Sequence, residues 1–425
     1  MITQAPDPTL PSGVANTRAR WLVLVAAFLG WMFDGLEMGI FPLVARPALQ
    51  SMMPPAAGIA PDRFVGLWMG YITALFLLGA ACGGLVFGWL GDRIGRVRAM
   101  TLSILTYSLF TGFCFFAQAP WHLGAFRFLA AIGMGGEWSL GVALVMESWP
   151  RDKRPLLAGI IGAAANVGYA LIAIVGLFFK ITPQSWRWVM IAGAAPALLA
   201  LVIQLVVPES ERWKEAVKDK KAQPVRELFG SGLIGTALLA IAFASVALIG
   251  TWGSVQWLPL WADQLTKGEV HTAKAVTQLL SAIGAIIGCI LGALAAGRMG
   301  RRPAYFGLCL LSLLLCGYLF RFVDAYGTTF LVLVLLIGGT TAAFYGWLPL
   351  YLPELFPTRV RATGQGLCFN FGRVLAALGA LTQGNLVAAY GGSYAKAGAV
   401  VTLIYIVGMA LIWLGPETKD KPLPE

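Results

Sequence analysis

Apolar residues gather in twelve long runs, at about 21–49, 64–90, 98–117, 121–148, 156–180, 186–207, 232–261, 273–297, 303–322, 327–352, 361–390 and 394–414, and the breaks between them carry Pro, Gly or charge. A bilayer core of roughly 30 Å needs about 20 apolar helical residues. Each run therefore predicts a membrane-crossing helix, and the chain an all-α membrane protein. The first run, WLVLVAAFLGWMFDGLEMGIFPLVA (21–45), is long and is followed by many others. It reads as a first transmembrane helix and not as a cleaved signal peptide, whose apolar core is short. The longest break, PESERWKEAVKDKKAQPVRELFGS (208–231), is charged and falls in the middle of the chain.

Composition agrees with the pattern. Of 425 residues 58% are apolar and 12% charged, against about a quarter charged in soluble domains. The net charge of +11 could suggest nucleic acid, but the basic residues sit in short loops between apolar runs. With the N-terminus inside, the inner segments hold 21 Lys and Arg and the outer ones 8, and Arg127 and Arg373 lie within runs four and eleven. That bias predicts both termini on the cytoplasmic side of the plasma (inner) membrane, with the lipid bilayer as partner and no nucleic acid. The six cysteines fall inside apolar runs with no CxxC pair, so they read as small buried hydrophobes. His122 and His271 are isolated at run ends. No metal site and no cofactor are expected, and without a nucleophile–His pair no enzyme is expected.

The chain repeats itself. Arg93-Ile-Gly-Arg96 matches Arg298-Met-Gly-Arg301 at an offset of 205; E-x-x-P-x-x-x-R recurs from Glu147 and from Glu354 at 207; Pro208-Glu-Ser matches Pro416-Glu-Thr at 208. Three landmarks at nearly one offset predict two same-direction six-helix halves, 21–207 and 232–414, joined by a cytoplasmic loop 208–231 and flanked by cytoplasmic tails 1–20 and 415–425. Such halves pack around a pseudo-two-fold axis along the membrane normal, with a site between them at mid-depth.

The stretch G-x-x-x-D-R-x-G-R, here Gly88 to Arg96, resembles the loop 2–3 signature of the major facilitator superfamily, and the resemblance covers all twelve runs. RFLAAIGMGGEW, PESERW and YLPELFPTRVRATGQG are similar to the branch that holds proton-coupled aromatic-acid, metabolite, nicotinate and sugar symporters and the organic-ion carriers. Val97 stands where the signature usually has another base, and Gly297 stands at the place matching Asp92, so the second copy lacks the acid. Physically, Asp92 and the nearby arginines can form charge-assisted bonds at the cytoplasmic mouth, while Gly88, Gly91 and Gly95 allow a tight turn and close helix approach. The resemblance implies that this loop, with Asp92, Arg93, Gly95 and Arg96 and the second copy's Arg298, Gly300 and Arg301, latches the outward-open state. Glu147, Arg154, Glu354 and Arg361 form the matching helix-end motif.

Two carboxylates, Asp34 and Glu37, interrupt the first run. At about 1.5 Å per residue Asp34 lies about 20 Å into its helix, and Arg127 about 9 Å from the outer end of an oppositely directed one. A lone charge at such depth is expensive, so the sequence predicts an Asp34–Arg127 pair. The resemblance implies that this pair is a proton switch, with the carboxylate titrating because Arg keeps its proton. Glu37 and Glu137 are further proton-site candidates. Arg373 in run eleven has no acid in its own half, and its repeat counterpart is Asn166. An unpaired buried cation suits a substrate carboxylate. Family likeness adds Trp252, Gln256 and Tyr345 as cavity walls. The expectation is a monomeric secondary transporter that imports a small organic anion with protons as coupling ion, by alternating access. A proton-driven exporter of drugs or metabolites, a sugar or nicotinate symporter and a non-transporting receptor are the alternatives.

Overall fold

The structure, a computed structural model, describes residues 17–53, 61–178, 181–217, 227–228, 232–267, 269–270, 272–390 and 393–424. His271, the chain before residue 17 and most of the central loop beyond 217 lie outside them. The helices are α1 (Thr17–Ser51), α2 (Pro61–Ile94), α3 (Arg96–Phe113), α4 (Pro120–Ser148), α5 (Arg154–Phe178), α6 (Trp186–Ala192), α7 (Pro196–Val206), α8 (Glu211–Ala216), α9 (Ile234–Gly253), α10 (Leu258–Leu265), α11 (Ala273–Met299), α12 (Arg301–Phe322), α13 (Thr328–Ala342), α14 (Phe344–Leu355), α15 (Arg361–Ala389), α16 (Tyr394–Val401) and α17 (Ile404–Leu411).

Among the described residues, ten spans are long and apolar enough to cross a membrane. The other two crossings of the sequence pattern have visible reasons to fall short. Run 186–207 is broken between α6 and α7, and α15 is diluted by Gln365, Asn370 and Arg373. Helix α1 begins at Thr17, so the N-terminal tail is shorter than the pattern predicts, and α8 forms inside the stretch read as a loop.

Packing repeats between the halves. Within the first half α2 lies along α4 and α1 along α5; within the second, α11 lies along α13 and α9 along α15. Two seams join the halves, α2 with α15 and α5 with α11. Glycine lets these helices touch backbone to backbone. A Cβ on Gly83 would overlap the Ile132 carbonyl of α4, one on Gly288 the Gly339 carbonyl of α13, and one on Gly162 the Tyr345 carbonyl across the halves. With lipid outside, such close packing replaces the hydrophobic drive that would hold a soluble bundle.

Besides the run split between α16 and α17, two crossings in the second half are broken beside the space between the halves. Between α9 and α10 the backbone leaves the helix at Ser254 and makes a 3-10 turn over Val255–Trp257. Between α13 and α14 it steps at Ala343. Irregular backbone at membrane depth is tolerated where it is buried in protein or lines a cavity.

Candidate functional site

Both breaks open on the same space. A cavity of about 110 Å³ lies between the halves, walled by α1, α5, α9, α10, α11, α13, α14 and α15. That is room for several waters, hence for a small molecule and not a polymer. The break after α9 turns Trp252 and Gln256 into it, α14 contributes Tyr345, α5 Asn166 and α15 Arg373. Arg373, its repeat counterpart Asn166 and the expected walls Trp252, Gln256 and Tyr345 thus line one cavity. The Arg373 Nη1 donates to Asn370 Oδ1 at 2.9 Å, and Asn370 is itself fixed by donating to the Gly135 and Gly366 carbonyls at 2.7 and 3.0 Å. Its guanidinium lies over the Phe369 ring at 5.0 Å and the Trp31 ring at 5.9 Å. Phe369 stacks in turn on Trp138, with centroids 4.1 Å apart.

The buried acids are arranged differently from the sequence expectation. Arg127 does not pair with Asp34. Its Nη1 donates to Glu37 Oε1, which also accepts from Thr111 Oγ1 at 2.8 Å, and its guanidinium is sandwiched between the Phe41 and Phe76 rings at 4.8 and 4.5 Å. The reason is depth. Arg127 is near the Pro120 end of α4, and α1 runs toward that end, so Glu37, one turn beyond Asp34, is the acid at Arg127's level. Asp34 is fully buried and takes no donor from the described residues. It faces the Glu137 carboxyl of α4. Glu137 reaches it across Gly30, where any Cβ would land on the Glu137 carboxyl. Gly30 and Asp34, four residues apart, present one face of α1 to that acid. A shared proton turns the repulsion of two facing carboxylates into a hydrogen bond. Asp34 also lies close enough to Arg373 for each to feel the other's charge. Arg373 therefore does have an acid nearby, supplied by the opposite half.

A second polar assembly closes the face that carries both ends of the described chain. Asp92, at the end of α2, accepts from the Ala362 and Thr363 amides at 3.2 and 2.8 Å and from Thr363 Oγ1 at 2.6 Å. These amides lie in the first turn of α15, so a residue of one half caps a helix of the other. Arg96 Nη1 holds Asp92 at 2.5 Å, and its Nη2 reaches Glu147 at 3.1 Å and the Thr358 carbonyl at 2.7 Å. Glu147 also binds Arg361 Nη1 at 2.9 Å and accepts from Ser210 Oγ. The equivalent acid, Glu354, is held in a fork by Arg301 at 2.9 and 2.6 Å and by Thr418 Oγ1 at 2.6 Å. Arg154, the repeat counterpart of Arg361, is buried within reach of Glu354's charge. Two members of the loop signature stand apart from this assembly. Arg93 is exposed and stacks on Trp89 at 5.1 Å, and Arg298 is exposed and offers only its carbonyl, to Lys419 Nζ at 2.7 Å. Both follow the last buried position of their helices.

The second copy has a different contact where Asp92 would be. A Cβ on Gly297 would come within 2.7 Å of Pro155 Cγ, in the first turn of α5. Pro155 stands 207 residues before Ala362. Pro155 has no amide hydrogen to give and Leu156, the counterpart of Thr363, has no hydroxyl, so two of the three donors that Asp92 uses have no equivalent in the second seam.

Several residues were not singled out from sequence. Glu209 accepts from the Arg96 and Val97 amides at 2.9 and 3.1 Å, and Glu417 from the Arg301 and Arg302 amides at 3.0 and 3.0 Å, capping α3 and α12 alike. Gly95 and Gly300 precede those helices at φ values of 111° and 102°, a region other residues rarely adopt. Burial pushes the Glu209 carboxyl up, while Glu417, where burial acts the same way but more weakly, is held below the usual range by amides of Arg301, Arg302 and Lys419. The repeated P-E-[ST] landmark was the available signal. The tail also docks: Pro424's carbonyl accepts from the Thr358 amide at 3.2 Å, from Thr358 Oγ1 at 3.2 Å and from Arg361 Nη2 at 2.8 Å, and Leu423 is buried.

Residues 21–380 match the family model described as Major Facilitator Superfamily. The chain is 32% identical over 435 residues to the inner membrane metabolite transport protein YgcS of Escherichia coli (strain K12), covering 94% of this chain and 92% of that protein. It is 28% identical over 405 residues to the cis,cis-muconate transport protein of Acinetobacter baylyi, covering 91% and 92%. Its fold is similar to that of the proton:xylose symporter XylE bound to 6-bromo-6-deoxy-D-glucose, with a TM-score of 0.78 at 17% identity over 96% of this chain and 98% of that one. The chain is thus a multi-pass membrane transporter, not an enzyme, and belongs to the major facilitator superfamily.

Proposed function

We propose that this transporter is a proton-coupled symporter of a small organic anion, working by alternating access in the inner membrane with both termini in the cytoplasm. The observation that carries the reading is the placement of opposite charges across the halves: Arg373 lines the cavity from the second half, and Asp34, from the first, is near enough to act on its charge. While Asp34 is ionised it screens Arg373. When the Asp34–Glu137 pair takes up a proton, the guanidinium is left without its counter-charge and draws a carboxylate from the cavity. The bound anion in turn favours the protonated pair. Proton and anion binding thus promote each other by the same factor, as linkage requires. The Glu37–Arg127 pair, closed between two rings and a threonine, holds α1 against α4. The muconate transport protein of Acinetobacter baylyi, a carrier of an organic anion by its name, supports the substrate class. The polar assembly around Asp92 is the cytoplasmic gate, which opens as the halves rock.

The test is Asp34→Asn in proteoliposomes. Substrate-for-substrate exchange is expected to survive while accumulation along a pH gradient is lost. Anion affinity, which should weaken in the wild type as pH rises, should become flat with pH. Accumulation by Asp34→Asn along a proton gradient would overturn the coupling.

A further inference from the structure

The anion reading leaves open how many charges the anion carries, and the cavity lining bears on that number. Among the described residues that line it, Arg373 is the one charged side chain. The other guanidinium at comparable depth, Arg127, is shut away with Glu37. Beyond Arg373 the polar wall is neutral. Gln278 of α11 and Tyr169 of α5 lie within interaction range of each other, and both face the cavity with Asn166. Helix rise sets the spacing: Arg373 is about 18 Å and Gln278 about 31 Å from the inner ends of their helices, a separation on the order of 10 Å. A rod-like molecule of one ring with a substituent at each end spans much of that distance. The walls beside Arg373, Trp31 and Phe369, suit a flat ring.

We propose that the site takes a monoanion and that Gln278, positioned by Tyr169, is the residue that sets this. Charge balance gives the reason. One proton neutralises Asp34, and one carboxylate then neutralises Arg373, so the loaded core is as neutral as the empty one. A second carboxylate would be stripped of water against a carboxamide and a phenol, with no cation to meet it. A buried charge so placed is costly. A hydroxyl, amide or ring nitrogen at the same end would instead find the Gln278 and Tyr169 partners ready. This inference rests on the anion reading and narrows it.

The experiment measures binding of benzoate, 4-hydroxybenzoate and benzene-1,4-dicarboxylate to the purified protein, with neutral benzamide as control. The three anions share a ring and one carboxylate and differ only at the far end. Wild type should bind 4-hydroxybenzoate at least as well as benzoate, and the dicarboxylate about tenfold or more weaker. Gln278→Arg should reverse the dicarboxylate-to-benzoate ratio, and Gln278→Leu should lower the 4-hydroxybenzoate-to-benzoate ratio. These are ratios within one variant, which a general loss of packing would not move. Tighter dicarboxylate binding in wild type, or an unchanged ratio in a folded Gln278→Arg, overturns the inference and leaves the anion reading standing. Binding of none of the three anions by folded wild type overturns both.

Discussion

Replacing Asp92 by Asn tests the gate where it is most exposed to measurement. The side chain accepts three bonds from α15, two from backbone amides and one from the Thr363 hydroxyl, at 3.2, 2.8 and 2.6 Å. Its bond to Arg96 stays within the first half, so it is present whether the mouth is open or closed and drops out of the difference. Asn keeps one acceptor oxygen and loses the charge and the other. One lost cap bond costs about 1 kcal/mol, the lost charge at the helix N-terminus about 0.3–1 kcal/mol, and the weakening of the remaining charge-assisted bond about 1 kcal/mol. The closed state should lose about 2–3 kcal/mol, which is about 30- to 150-fold in the closed-to-open ratio. A single cysteine on a cavity wall, labelled from the cytoplasmic side of inside-out vesicles, reads that ratio. Thr363→Val, which removes one bond and no charge, should give a smaller rise in labelling. Equal labelling of Asp92→Asn and wild type at equal insertion, or a larger effect from Thr363→Val, would refute the reasoning.

Three further outcomes follow from the same geometry. Arg373→Lys keeps the charge but loses the planar fork, so anion affinity in a binding assay should fall about tenfold, and Arg373→Ala should lower it further; equal affinity in Arg373→Ala and wild type would remove Arg373 from the site. Deleting residues 422–425 takes away the acceptor for Thr358 and Arg361, and cytoplasmic labelling of the cavity cysteine should rise, though less than with Asp92→Asn. Glu417 is held below the ordinary carboxylate value of 4.5, so it contributes stability above that value and loses it as pH falls through the folded one; the melting-temperature gap between wild type and Glu417→Gln should be level near neutrality and close in acid.

The fold was legible because a bilayer allows few solutions: run length and one repeat offset left little else to choose. Arg373 and Asn166 could be named from the sequence itself, as polar residues at matching places of the repeat, whereas Trp252, Gln256 and Tyr345 came only from the likeness to the family. The pairing of the acids could not be ranked. Asp34 and Glu37 differ by about one turn of helix, and a depth count from uncertain helix ends does not separate them; α1 begins four residues before the apolar run does. Arg373 looked unpaired because a repeat compares each half with its twin, whereas its acid comes from across the interface. The breaks at Ser254 and Ala343 carry no proline at the break itself, so they follow from packing around the cavity.

The Gly297–Pro155 contact limits how firmly the mouth can shut. Had the second seam an acid and an amide like the first, the two capping energies would add. The cavity would then open to the cytoplasm about 30- to 150-fold less often than with one cap alone. Release would wait on that rare opening and set the turnover number. With a bonded seam on one side and a plain glycine–proline contact on the other, opening breaks one helix cap, with the Arg96–Thr358 and Glu147–Arg361 contacts beside it, and no second cap.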